Sequence, residues 1–247
     1  MKDMSDCEVY YVPSFISEKK AEDWYEELLS LETWYQPKLK VYGREVIQSR
    51  KIAAYATDPN LTLKYSGQVV DMNYEYPQVL REIQDQVEDK LGVKFNHVML
   101  NLYEDGTIYI GNHRDTPENK VIASVSLGAP RTFIMTQDPK AQRRKADHAS
   151  PSSVGNVELR DLTSRPRTSP RSESSSSRKC PADYQETEST EEPPQLFVAR
   201  KSWILAPGSL VVMQGETQKY WKHEIPKEPK VKEGRISLTF RQLVVVS

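Results

Sequence analysis

Apolar positions early in the chain recur at helical spacing. Ala21, Trp24, Tyr25, Leu28 and Leu29 stand at i, i+3, i+4, i+7 and i+8, which predicts a helix over about 18–31 with Ser17 as its N-cap. A second helix is predicted over about 77–91, with Pro77 near its first turn, Leu80, Ile83, Val87 and Leu91 on one face, and Gly92 as the stop. From residue 95 the pattern changes to alternation and short apolar runs: FNHVMLNLY, KVIASVSLG, RTFIMT, LFVARKSWILA, SLVVMQG and RISLTFRQLVVV read as strands. Helices followed by many short strands predict an α+β chain: a double-stranded β-helix (jelly roll) buttressed by N-terminal helices.

One tract breaks the pattern. Residues 138–195 are rich in Ser, Pro, Arg and Glu and nearly free of aromatics, so they cannot bury enough apolar surface to offset chain entropy. Ten Lys/Arg face five Asp/Glu over 138–179, whereas 180–195 carries five Asp/Glu and no Lys or Arg. Strand-like sequence ends just before the tract and resumes just after it, so it reads as a disordered insertion between two strands. The expected organisation is N-terminal helices and a lid over 1–94 and a jelly-roll core over 95–247, forming one structural unit.

Composition narrows the classes. Of 247 residues, 37% are hydrophobic and 28% charged, and no apolar run approaches the ~18 residues that a membrane helix needs. The N-terminal MKDMSDCEVYYVP lacks an apolar h-region, which argues against a secretory leader. Cys7 and Cys180 are too few and too far apart for a disulfide framework, which suits a reducing compartment. The formal net charge is −1, so nucleic-acid binding would need a local basic face. A monomer is expected.

The four histidines are His97, His113, His148 and His223. His113 and Asp115 form an H-x-D after the strand ending in NLY, and His223 follows the strand SLVVMQG. Two His and one carboxylate on a jelly roll make the facial triad of non-haem Fe(II) oxygenases, three ligands that leave positions open. H-x-D also arises by chance, and His113 alone reads equally as a surface-loop histidine. His97 reads as a strand residue that finds a hydrogen-bond partner, and His148 lies in the polar tract. Removing the insertion cuts the 110-residue separation of His113 and His223 to about half, a few strands.

The last strand runs from Arg235 to Arg241. Alternation places Arg235, Ser237, Thr239 and Arg241 on one face and Ile236, Leu238 and Phe240 on the other. The polar face is either a solvated surface or an interior anion site, since two buried arginines are costly without anions. A dicarboxylate would satisfy both through planar, bidentate pairing.

NLYEDGTIYIGNHRD, VIASVSLGAPRTFIM, KHEIP and RISLTFRQL, in that order, resemble the AlkB family of Fe(II)/2-oxoglutarate dioxygenases. The resemblance implies Fe(II) bound by His113, Asp115 and His223, and 2-oxoglutarate contacted by Asn101, Tyr103, Arg235 and Arg241, with O2 as co-substrate. Ser237 stands where the family usually has Asn; its hydroxyl can still donate and accept. Residues 39–67 resemble the nucleotide-recognition lid of homologues that repair DNA. There Val41-Tyr42-Gly43 takes the place of a finger that fills the gap left by a flipped base, followed by Arg50-Lys51. Tyr65 falls where the family stacks an aromatic on that base, Leu63 where the duplex-specific branch has Tyr. Pro117 takes the place of an acidic residue near the metal, with Glu118 one position later. Tyr42 also reads as an ordinary hairpin aromatic.

Lys38, Lys40, Arg44, Arg50 and Lys51, with Lys227, Lys230 and Lys232, are placed to line a phosphate groove. The expected activity is oxidative demethylation of alkylated bases such as N1-methyladenine and N3-methylcytosine, releasing formaldehyde. Duplex DNA is the favoured partner and RNA the second, in the nucleus with the cytoplasm as an alternative. The rival readings are RNA or protein demethylation by the same chemistry, and a nucleic-acid-binding protein with a spent site.

Overall fold

A computed structural model describes residues 4, 6–41, 44–65, 68–141 and 198–243. Its elements in chain order are β1 (Glu8–Val12), α1 (Glu18–Leu29), β2 (Lys38–Val41), β3 (Arg44–Ile47), β4 (Lys51–Ala56), β5 (Lys64–Tyr65), β6 (Gln68–Val69), β7 (Met72–Asn73), α2 (Gln78–Leu91), β8 (His97–Tyr103), β9 (Ile110–His113), β10 (Val121–Gly128), β11 (Arg131–Gln137), β12 (Arg200–Leu205), β13 (Ser209–Gln214), α3 (Thr217–Tyr220), β14 (Trp221–Ile225) and β15 (Arg235–Arg241).

Two sheets face each other as a double-stranded β-helix. The larger has the order β1-β13-β10-β15-β8-β4-β7 and the smaller β12-β11-β14-β9. The helices cover the outer face of the larger sheet, because their apolar stripes have only that face to bury. Trp24 and Leu28 of α1, and Leu80, Ile83 and Val87 of α2, pack with Leu100, Val125, Leu238 and Phe240 of the strands. Each such fully buried side chain contributes about 1.5–3 kcal/mol. A second core, including Tyr103, Ile122, Phe133, Met135 and Trp221, fills the space between the sheets.

Both expected helices form, with local differences. Ser17 occupies the N-cap of α1 with extended backbone, but its side chain makes no capping bond. Leu29, expected on the apolar face, is 44% exposed, because the buried stripe of α1 runs through Ala21, Trp24 and Leu28 and leaves Leu29 at its edge. α2 ends at Gly92, whose φ of 65° is the left-handed cap that a side chain would resist. β1 carries no alternation strong enough to announce it and forms by pairing with β13 along its whole length.

The described residues continue past the expected start of the insertion. Asp138 is buried and ion-paired with Arg114, and the chain is described to residue 141. Thr136 pairs with Arg200 at the facing ends of β11 and β12. The rest of the expected insertion, with His148 and Cys180, lies outside the described residues. Among them, no helix is long and apolar enough to cross a membrane.

Candidate active site

The polar row of β15 points inward. Arg235, Ser237, Thr239 and Arg241 line a cavity between the sheets, and Ile236, Leu238 and Phe240 are in the helix-side core. The neighbouring row of β8 supplies Met99, Asn101 and Tyr103, in register with Thr239, Ser237 and Arg235. The cavity encloses about 630 Å³ including its open mouth.

The smaller sheet supplies the other wall. His113 and His223 are register partners across β9 and β14, with ring centres 4.3 Å apart. Asp115 Oδ2 lies 3.7 Å from His223 Nε2, and Asp115 Oδ1 accepts from Arg241 Nη2 at 2.7 Å. Burial first, and then the charges of His113 and Arg241, hold the His223 imidazole down at about 3. Burial also lowers His113. For Asp115, burial pulls upward but is outweighed by Arg241, His223 and His113, so the carboxyl stays below its ordinary range. The trio is therefore two neutral imidazoles and a carboxylate near neutral pH.

That donor set fits a divalent iron. His113 Nδ1 lies 2.8 Å from the Gly111 carbonyl oxygen, which can only accept, so Nδ1 carries the proton and Nε2 keeps its lone pair. His223 Nδ1 is buried without a partner. Among the described residues no three such side chains stand in closed metal-ligand geometry; the Asp115 carboxylate is turned onto Arg241 instead.

Arg235 is 1% exposed. Its Nη2 donates to Ser126 Oγ at 2.9 Å, while Nε and Nη1 make no hydrogen bond. Its guanidinium carbon lies 5.2 Å from the Tyr103 ring centre. Burial pulls Arg235 below its ordinary value. A buried cation with idle donors beside a cavity is a built anion site. Arg241 departs from the expectation of two equivalent carboxylate clamps, since it is paired with Asp115. Ser237 Oγ bonds Ser124 Oγ at 3.0 Å. Ser124 and Ser126 were not anticipated, although S-V-S in β10 carries the same alternation.

Two expectations are corrected. His97 is fully buried and neither ring nitrogen has a hydrogen-bond partner. Burial, and then the Arg241 charge, hold it neutral, near 3. Arg50 is 5% exposed, not a surface phosphate contact. Its Nε donates to Asn101 Oδ1 at 2.7 Å, and the Gln48 amide oxygen accepts from it at 2.9–3.1 Å. The polar Asn101 and Gln48 draw it inward.

Lys51 pairs with Glu104 at 2.7 Å. Glu118 is exposed on a turn away from the cavity lining. Lys38, Arg44, Lys227, Lys230 and Lys232 are exposed. Val41 lies in β2 and Tyr65 in β5. Tyr42 and Gly43 lie outside the described residues.

The chain is 29% identical over 243 residues to the DNA oxidative demethylase ALKBH2 of Arabidopsis thaliana, covering 95% of this chain and 66% of that protein. It is 26% identical over 233 residues to the alpha-ketoglutarate-dependent dioxygenase alkB homolog 3 of Homo sapiens, covering 93% and 64%. Against the Homo sapiens DNA oxidative demethylase ALKBH2 it is 29% identical over 212 residues, covering 84% and 62%. It thus spans slightly under two thirds of these relatives. A solved structure of OsALKBH1 aligns with a TM-score of 0.48 and 13% identity, over 95% of this chain and 97% of that one. The model of the 2OG-Fe(II) oxygenase superfamily matches residues 8–241, and the chain belongs to that superfamily as an AlkB-type member.

Proposed function

We propose that this protein oxidatively demethylates alkylated bases in DNA, with His113, Asp115 and His223 holding Fe(II) and with 2-oxoglutarate and O2 as co-substrates. One observation carries the reading: an inward-facing cavity joins two neutral imidazoles, a carboxylate and a buried arginine with unsatisfied donors. Arg235 and Ser126 bind one carboxylate of the keto acid, with Tyr103, Asn101 and Ser237 beside it. Arg50 occupies Asn101 Oδ1, so the Asn101 amide nitrogen is the group left to donate. Arg241 keeps Asp115 ionised. When bound, the iron supplies the oxidising chemistry that turns an N-methyl into an N-hydroxymethyl group. That group leaves as formaldehyde, and 2-oxoglutarate becomes succinate and CO2.

The ALKBH2 and alkB homolog 3 relatives support a nucleic-acid substrate. Exposed side chains near the site suit such a substrate. β3 is exposed along its whole length and, among the described residues, pairs with β2 alone. Exposed Tyr109 precedes Ile110 of the cavity lining, with the Lys227 ammonium 4.7 Å from its ring centre. The resemblance of 39–67 to a nucleotide-recognition lid, with Tyr42 in the place of the finger, is the reason to favour duplex DNA and a flipped base. N1-methyladenine and N3-methylcytosine are the first candidates. The basic runs at 140–145 and 165–171 suit nuclear import.

The test is a mass-spectrometric demethylation assay on methylated duplex DNA, single-stranded DNA, RNA and peptide. Expected are 2-oxoglutarate-dependent loss of the methyl mass from the duplex and one formaldehyde per base restored. Turnover confined to RNA or peptide, or absent from all four, overturns it.

A further inference from the structure

The two ligand-bearing segments are joined by a feature that none of the iron or co-substrate assignments uses. α3 is a single turn, Thr217–Tyr220, and it leads directly into β14 with His223. It also contacts the H-R-D segment. Gln218 is 3% exposed, and its Oε1 accepts the backbone N–H of Asp115 at 3.0 Å. A backbone N–H can only donate, so the amide oxygen must face Asp115; Gln218 Nε2 then faces Met213 Sδ at 3.5 Å. The Lys219 carbonyl accepts from Arg114 Nη1 at 2.7 Å, and Arg114 Nη2 pairs with Asp138. Asp138 N–H in turn donates to the Tyr220 carbonyl at 2.8 Å.

We infer that Gln218 is a positioning residue for the metal site, fixing the Asp115 backbone so that its carboxylate is presented to iron beside His223. Three observations converge on it. Asp115 lies beyond the end of β9, so no ladder bond fixes its N–H. Gln218 is buried and its oxygen is committed to that one donor. The other end of Asp115, its carboxylate, is held by Arg241 across the cavity rather than by its own strand. Partners that orient metal ligands typically carry a 10–100-fold share of metal affinity. The inference rests on the iron reading of His113, Asp115 and His223, not on the choice of nucleic acid.

The test uses the full chain without nucleic acid or O2 turnover. Co(II) affinity is measured by calorimetry, with the Co(II) d–d spectrum and the melting temperature of the metal-free protein alongside. Gln218→Met keeps the shape and removes the acceptor; Gln218→Glu keeps an acceptor oxygen. Expected is a 10–100-fold loss of Co(II) affinity and an altered d–d band for Gln218→Met, with the metal-free melting temperature within about 2 °C of the parent. Gln218→Glu should hold affinity within about threefold. Parental affinity in Gln218→Met overturns the brace. A loss in both variants that tracks a fall in metal-free melting temperature also overturns it, since that marks general packing. Failure of the parent protein to bind Co(II) overturns the iron reading and the brace together, whatever its substrate.

Discussion

Arg235→Met should act in opposite directions on the empty and the loaded protein. In the empty protein Arg235 is a buried cation with one hydrogen bond, to Ser126, and two donor nitrogens without any. Replacing a buried charge by an apolar side chain of similar volume is neutral or stabilising by about 1–4 kcal/mol. Stranding the Ser126 hydroxyl returns about 1 kcal/mol of that. At roughly 2–4 °C per kcal/mol for a chain of this size, the melting temperature should hold or rise by several degrees. In the loaded protein the same substitution removes a charge partner of the keto acid. Truncating one side of such a buried pair costs about 2–5 kcal/mol, or roughly 30- to several-thousand-fold in affinity at 1.4 kcal/mol per tenfold. Melts with Mn(II), with and without 2-oxoglutarate, read both effects together with a calorimetric titration. Ligand at 100 times its dissociation constant adds about 2.7 kcal/mol to the parent protein, and it should add nothing measurable to the variant. A lower melting temperature with unchanged 2-oxoglutarate affinity would refute the anion site and make Arg235 a structural cation.

Three further outcomes are expected. Glu228 accepts from Arg131 Nε and the Thr132 N–H, both at 2.9 Å, and from Thr132 Oγ1 at 2.7 Å. Burial pulls its carboxyl upward, but Thr132 and Arg131 outweigh it, so the folded group titrates below the ordinary 4.5. Glu228→Gln should therefore lose about 1.5–3 kcal/mol at pH 7. The gap is full above pH 4.5 and closes as pH falls through the lower folded value; a gap constant with pH in denaturant melts contradicts this. Gly128 has φ 77°, and a Cβ there would meet the Gly234 carbonyl and the Tyr25 ring. Gly128→Ala should lower the urea midpoint by the equivalent of about 1–3 kcal/mol at unchanged slope, and an unshifted midpoint would show that the turn yields freely. Because Gln137 N–H donates to the Ala199 carbonyl at 2.9 Å, the ends of β11 and β12 stay adjacent. A short Gly/Ser linker in place of 142–197 should therefore leave succinate formation within about threefold, under ~1 kcal/mol, and loss of turnover would assign that tract to the site.

What the sequence revealed followed the two structural periods. The alternation in β15 separates Arg235 and Arg241 from Ile236 and Phe240, and the cavity and the core receive them as expected. The H-x-D and distant His223 meet because β9 and β14 are neighbours, which alternation cannot tell but family order can. Arg50 was misread because Arg-Lys looks like surface charge. Only the long-range pairing of β4 with β8, which sets Ile52 opposite Asn101, turns Arg50 towards the Asn101 amide. Gln218 carried no local signal, since its partner is 103 residues away. Asp138 looked like the first residue of a polar tract because its partner Arg114 belongs to another strand connection.

β9 is an edge strand, fastened to β14 at only His113↔His223 and Ile110↔Ile225, with the register shifting between them. The residues it must bring together are 110 positions apart. A metal held by both histidines would be a cross-link closing that loop, and clips across long loops remove the most chain entropy from the unfolded state. The iron would then be a staple of the fold as well as a reagent. Its loss should release the weakest-held strand first, opening the small sheet from the cavity side while the helix-backed sheet keeps its core.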